Sequence, residues 1–203
     1  HRFGYGNMRD YPLADDKYAI EQLANRYDFI DINRVGIFGH SGGGFMATAA
    51  ICTYPDFYKA AVSSSGNHDN NIYNRGWVEI YNGVQESTKT IQTATGKDSI
   101  IYTFSSHVPT NMELAKNLKG HLLLVSGDQD RNVHPAHLLR MANALIQANK
   151  NFEMLLIPGA KHGYTGQANR FFEKKLWFHF AKYLLGDFSS EQFTDLDETL
   201  KIK

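Results

Sequence analysis

Residues 39–43 read Gly-His-Ser-Gly-Gly, and what flanks them constrains the fold more than any other stretch of the chain. A short apolar run over 34–39 precedes them, and a helix-forming run over 43–53, halted ahead of Pro55, follows. A serine at a strand-to-helix junction forces a sharp backbone turn that only small neighbours tolerate. The turn sets Ser41 at the carboxyl end of a strand, with the N-terminus of a helix behind it favouring negative charge. The N–H of Gly42 is then placed to donate to an oxyanion. In that context G-x-S-x-G, extended here by Gly44, makes Ser41 a candidate nucleophile on an α/β fold.

The rest of the chain alternates in the same way. A helix is expected over 15–27, with Ile20, Leu23, Ala24 and Tyr27 on one face. Strands are expected over 59–63, 122–126 and 152–157. Pro135 opens a helix that carries Leu138, Met141, Ala142 and Leu145 on one side. A last helix over 172–185 turns Trp177, Phe180, Ala181 and Leu184 toward the sheet. Short strands alternating with longer helices predict a parallel sheet with crossover helices. The domain is expected to occupy 1–186, followed by a polar extension over 187–203 with no assigned chemistry. Residues 67–110, rich in Asn, Thr, Tyr and Gly, are less regular and read as a cap or binding loop.

A nucleophilic serine needs a base and a carboxylate to orient it, and on this fold they follow in the order acid, then histidine. After the strand at 122–126 comes Gly127-Asp128-Gln129-Asp130-Arg131-Asn132-Val133-His134. After the strand at 152–157 comes Pro158-Gly159-Ala160-Lys161-His162-Gly163-Tyr164. His162 is therefore the candidate base. Asp130 and Asp128 compete for the orienting role, and the G-x-x-D turn from Gly127 favours Asp130. His40 is expected to pack or shape the pocket, while His68 beside Asp69 lines the cleft or caps a turn. His134 and His137 share a helix face without a third ligand, so neither a metal nor a cofactor is expected.

Composition narrows the partners. Lys plus Arg and Asp plus Glu number 21 each, so the 203-residue chain has no electrostatic footprint for nucleic acid or an anionic membrane. No apolar run approaches the roughly 18 residues of a spanning helix. Cys52 is the single cysteine, which excludes an internal disulfide, and it reads as a small buried hydrophobe.

Three segments together resemble the catalytic domain of the prolyl oligopeptidase superfamily. They are residues 39–45, Gly127-x-x-Asp130-x-Asn132-Val133-His134-Pro135, and Lys161-His162-Gly163-Tyr164. The resemblance is nearest to the dipeptidyl peptidase IV branch, in its Bacteroidetes-type members, and runs from Phe3 to about Gly186. It implies an α/β-hydrolase domain that cleaves short peptides after proline or alanine, acting as a dipeptidyl or tripeptidyl aminopeptidase. It implies that Asn132 binds a substrate carbonyl and that Tyr73, Trp77 and Val133 wall the specificity pocket. It also implies a β-propeller ahead of this domain and a periplasmic or exported protein. Two departures stand against a narrow proline preference: Gly42 where a Tyr often follows the nucleophile, and Asn70 where an aromatic often lines the pocket. An esterase on the same fold, or a non-catalytic interaction module, remains open, since fold and triad serve many substrates.

By the same resemblance the four strands are the fifth to the eighth of a hydrolase sheet, a contiguous half of it. Strands one to four, and an upstream Tyr supplying a second oxyanion donor, are implied outside this sequence. The strand at 35–38 is then expected to have an apolar unpaired edge, able to recruit another strand or a second copy of the chain.

Overall fold

The computed structural model of the chain describes residues 4–191. In chain order the elements are α1 (Leu13–Arg26), β1 (Val35–His40), α2 (Gly42–Thr53), β2 (Tyr58–Ser64), α3 (Arg75–Asn82), β3 (Gln85–Gln92) and β4 (Asp98–Ser105). There follow a 3₁₀ helix (Met112–Asn117), β5 (His121–Gly127), α4 (Ala136–Gln147), β6 (Glu153–Ile157) and α5 (Gly166–Phe180), which runs on into a π turn (Ala181–Leu185). Residues 192–203, most of the expected polar extension, lie outside the described residues.

Four strands form a parallel sheet in the order β1-β2-β5-β6. Strands covered on both faces read as unbroken apolar runs, and Leu122–Leu123–Leu124–Val125 of β5 is the clearest case. On one face α2 and α4 bury Ile51, Cys52, Met141 and Leu145 against Leu122 and Leu124. On the other face Phe172 and Leu176 of α5 pack over Val62, Leu123 and Val125. Helix α2 is apolar around nearly its whole circumference because it lies between sheet and neighbours. Its first turn approaches β2 so closely that a Cβ on Gly44 would stand 2.6 Å from the Ser64 carbonyl oxygen. Cys52 is buried there, its thiol pushed up to about 12 by desolvation, as suits a structural residue.

The sheet agrees with one contiguous half of an α/β-hydrolase sheet. Among the described residues β1 pairs with β2 alone, so its outer edge is open and Phe38 on it is 66% exposed. Alongside lies a groove of about 640 Å³ whose apolar walls include Ile20, Ile30, Val35, Trp177, Phe180 and Leu184. Two sequence expectations change here. Trp177 lines this groove, half exposed, instead of burying on the sheet; Leu23 and Tyr27 of the α1 stripe likewise stay more than 40% exposed.

Residues 67–110 hold more order than the sequence predicts: α3 and the antiparallel hairpin β3–β4 both fall there. The hairpin strands are exposed along almost their whole length, so no face is selected for burial and the period-2 signal is weak.

Beneath this region a buried histidine fastens the chain. His68, 1% exposed, accepts at Nδ1 from the Asn111 side-chain amide (3.0 Å), while the Asn111 N–H donates to the His68 carbonyl (3.0 Å). Burial, aided by His137, pushes the His68 imidazole down to about 3. An unfolded histidine titrates near 6.5. Between about pH 6.5 and 3 the unfolded chain therefore binds a proton that the folded chain refuses, and stability falls as pH drops. The urea midpoint is expected to decline through this window by the equivalent of a few kcal/mol. His68→Gln should be less stable at neutral pH but show a flatter decline.

Candidate active site

The open carboxyl ends of β1, β5 and β6 carry the three segments singled out from sequence. Ser41 occupies the turn between β1 and α2 with φ 58° and ψ −121°, in the left-handed half of backbone space that a non-glycine residue rarely enters. The turn is held by the Ser41 N–H donating to the Ser64 carbonyl (2.8 Å) and by the Phe45 N–H donating to the Ser41 carbonyl (3.0 Å). A Cβ at Gly39 would lie 2.2 Å from the Gly43 carbonyl oxygen, so the turn closes only on glycine. The N–H groups of the first turn of α2, Gly42 included, lack intrahelical acceptors.

Asp130 stands in the loop after β5 with its side chain fully buried. Its Oδ1 accepts from the N–H groups of Asn132 and Val133, each at 2.9 Å, which leaves Oδ2 facing His162 Nδ1 at 2.8 Å. His162 Nε2 in turn lies 3.0 Å from Ser41 Oγ. Residues 41, 130 and 162 thus form one hydrogen-bonded chain from three separate strand ends. Asp128 does something else: its exposed Oδ1 accepts from the Gly159 N–H (2.6 Å), bracing the loop after β5 against the loop after β6. The two loops touch through backbone, because a Cβ on Gly127 would sit 2.2 Å from the Ala160 carbonyl oxygen. Such an arrangement can pass a proton from a hydroxyl to an imidazole while a carboxylate fixes the ring.

His40 lies beside this chain, its ring centroid 4.8 Å from that of His162. Its Nδ1 is 2.9 Å from Ser64 Oγ, which also donates to the Tyr164 hydroxyl (3.0 Å). Burial first, then the neighbouring His162, lowers its pKa, which favours the neutral ring. Tyr164 was legible in sequence only as the residue two beyond His162; its bonds to Ser64 and Ser65 had no sequence signal.

The expected pocket residues divide. The Tyr73 hydroxyl donates to Asn132 Oδ1 (2.8 Å), and the Tyr73 and Trp77 rings meet edge to face at 5.4 Å. Trp77 and Gly42 border one cavity of about 280 Å³, shared with Tyr11, Phe45, Met46 and Tyr81. Val133 is 1% exposed, and Asn70, equally buried, accepts from the Asn67 amide. The segment carrying Tyr73 is tied down by Asp69, whose carboxylate pairs with Arg140 at 2.8 Å and whose N–H donates to His137 Nδ1 at 3.3 Å. Sequence reading missed both ties, since nothing in the chain marks partners about 70 residues apart. His134 accepts locally from the Ala136 N–H, and among the described residues no three His, Cys, Asp or Glu are grouped to hold a metal ion. No described helix is long and apolar enough to cross a membrane.

A family model, that of the prolyl oligopeptidase family, matches residues 1–188. The chain belongs to the prolyl oligopeptidase family. Members of this family are serine peptidases, and the curated relatives are named as peptidases. Human dipeptidyl peptidase 8 is 30% identical over 155 residues, 76% of this chain and 16% of that protein. Human prolyl endopeptidase FAP is 24% identical over 185 residues, 91% of this chain and 22% of that protein. The solved structure of Porphyromonas gingivalis dipeptidyl peptidase 4 superposes with a TM-score of 0.69 at 24% identity, covering 91% of this chain and 24% of that one, and so shares the fold. The chain spans less than a quarter of the length of each of these family members.

Proposed function

We propose that this chain is the catalytic part of a dipeptidyl-peptidase-type serine exopeptidase that cuts after proline- or alanine-like residues through an acyl-enzyme. The observation carrying the reading is the unbroken chain from Ser41 through His162 to Asp130, with links of 3.0 and 2.8 Å.

In the proposed reaction His162 Nε2 takes the Ser41 hydroxyl proton as Oγ bonds to the peptide carbonyl carbon. The carbonyl oxygen becomes an oxyanion, and the Gly42 N–H donates to it. As the tetrahedral centre collapses the C–N bond breaks, and His162 gives its proton to the departing amine. Water then attacks the ester, losing a proton to His162, which returns it to Ser41 Oγ as the acid leaves. Asp130 keeps the Nδ1 proton on the ring and stabilises the imidazolium. Asn132 would hold a substrate carbonyl through its amide hydrogens, which its bond with Tyr73 leaves free.

Tyr73→Phe tests that last role. Losing one neutral hydrogen bond is expected to raise KM about 2- to 10-fold while kcat stays within about twofold. Steady-state kinetics on one dipeptidyl amide separates the two.

In this reading the upstream hydrolase strands cover the open edge of β1 and the groove beside Trp177, and a β-propeller would grip the peptide's amino terminus. A second oxyanion donor comes with those strands. The 203-residue chain alone is therefore expected to turn over about 10²–10³ more slowly than a protein with both donors. The deciding experiment sets X-Pro and X-Ala dipeptidyl amides against short acyl esters. Amide cleavage supports the reading, and activity on esters alone would replace it with an esterase. Failure of a fluorophosphonate to label Ser41 even when the upstream strands are present would make the chain an interaction module.

A further inference from the structure

Among the described residues the β3–β4 hairpin carries an apolar side that stays exposed. Its strands pair, among the described residues, only with each other, in register over eight residues from Gln85↔Ser105 to Gln92↔Asp98 without a bulge. Alternate residues of a strand share a face, so Ile100, Tyr102 and Phe104 stand together on one side, 54%, 55% and 65% exposed. Across from them on β3 are only Thr90, Thr88 and Glu86. A lone two-stranded ribbon is marginal in water, and an exposed strand edge normally carries lysine, proline or a bulge to deter pairing. The outer strand, β4, has none of these; its one charge is Asp98 at the end.

We propose that the outer edge of β4 pairs with β4 of a second copy of this chain, forming a four-stranded antiparallel sheet about a two-fold axis through Tyr102. The pattern is self-complementary about that residue. Antiparallel pairing centred there sets Ile100 opposite Phe104 of the other copy, Tyr102 opposite its equivalent, and Phe104 opposite Ile100. All six side chains fall on one face, as cross-strand apolar pairs. A slip by one residue would set each apolar face beside the less apolar one of Ser99, Ile101 and Thr103. Charge allows the match as well. The arm holds Glu86 and Asp98 against Lys89 and Lys97, so two copies do not repel. The same balance gives no cationic face for an anionic lipid or nucleic acid. A two-fold axis is the usual symmetry of such a self-matching surface. Six partly exposed side chains and one strand pairing bury less than the roughly 1,200 Å² of a standard interface, so association is expected in the micromolar range.

The test is made on the 203-residue chain. Light scattering behind size exclusion, from about 1 to 100 µM, should show a concentration-dependent dimer that Tyr102→Lys abolishes while circular dichroism stays unchanged. Register is tested by thiol linkage, with Cys52 buried and out of reach. A short bis-maleimide should link Tyr102→Cys into dimers. It should not link Lys97→Cys, whose equivalents lie about 34 Å apart in the proposed register. A monomer at every concentration, or a dimer indifferent to Tyr102→Lys, overturns the proposal. Exchange of the β4 amides that do not bond to β3, if it stays fast and independent of concentration where a dimer forms, also overturns it.

Discussion

Alanine at position 41 is expected to abolish fluorophosphonate labelling and to cut kcat on a dipeptidyl amide by a factor on the order of 10⁶. The size of the effect follows from what surrounds the hydroxyl. No other hydroxyl is hydrogen-bonded to His162 Nε2 in the described residues. Ser64 and Ser65, the nearest candidates by sequence and turn, are engaged with His40 and Tyr164 instead. The Ser41 hydroxyl accepts from no N–H of α2, so alanine removes no helix cap. The melting temperature should therefore hold while labelling vanishes. A Ser41→Ala protein that still labels would sink the assignment of the nucleophile.

Asparagine at position 130 is expected to cost about 10⁴ in kcat at neutral pH. Its Oδ1 can still accept from the Asn132 and Val133 N–H groups, so the loop should keep its shape. The atom facing His162 Nδ1, however, becomes an N–H₂ donor. Nδ1 must then accept, the ring proton moves to Nε2, and the nitrogen beside Ser41 can no longer take a proton. Asp128→Asn provides the contrast. Asparagine keeps an acceptor for the Gly159 N–H, and no contact joins residue 128 to the histidine, so kcat should stay within about threefold. Steady-state kinetics of the pair decides between the two carboxylates that the sequence leaves in competition. Equal losses in both variants would contradict the geometry.

How much could be read before the structure depended on how local each cause is. The turn at Ser41 depends on glycines within a few residues, and the parallel strands announce themselves as apolar runs, so both were legible. The loops carrying Asp130 and His162 were legible because residues following such strands emerge on one edge of the sheet. Other features depend on distant partners. Asp69 acquires meaning only when Arg140 folds beside it, and Asn70 reads as a pocket residue until the Asn67 amide claims it. Trp177 has the spacing of a sheet-facing residue, yet the sheet does not extend far enough to cover it. The hairpin escaped notice because only β4 alternates, at Ile100, Tyr102 and Phe104, while its partner β3 is polar along nearly its whole length.

The position of β1 at the margin of the sheet has a dynamic consequence. Both margins of the sheet carry a reacting side chain, Ser41 after β1 and His162 after β6, but the loop holding His162 is clamped backbone to backbone to the loop holding Asp130 through Gly127 and Ala160. Local openings start where fewest bonds must break. The Asp130–His162 couple should thus outlast the arrival of Ser41 beside it: when the centre fails under mild denaturant, it fails by losing its serine first. Amide exchange would register this as β1 opening at a lower free energy than β5, and a strand added along Phe38 would act as a brake on inactivation without touching a reacting atom.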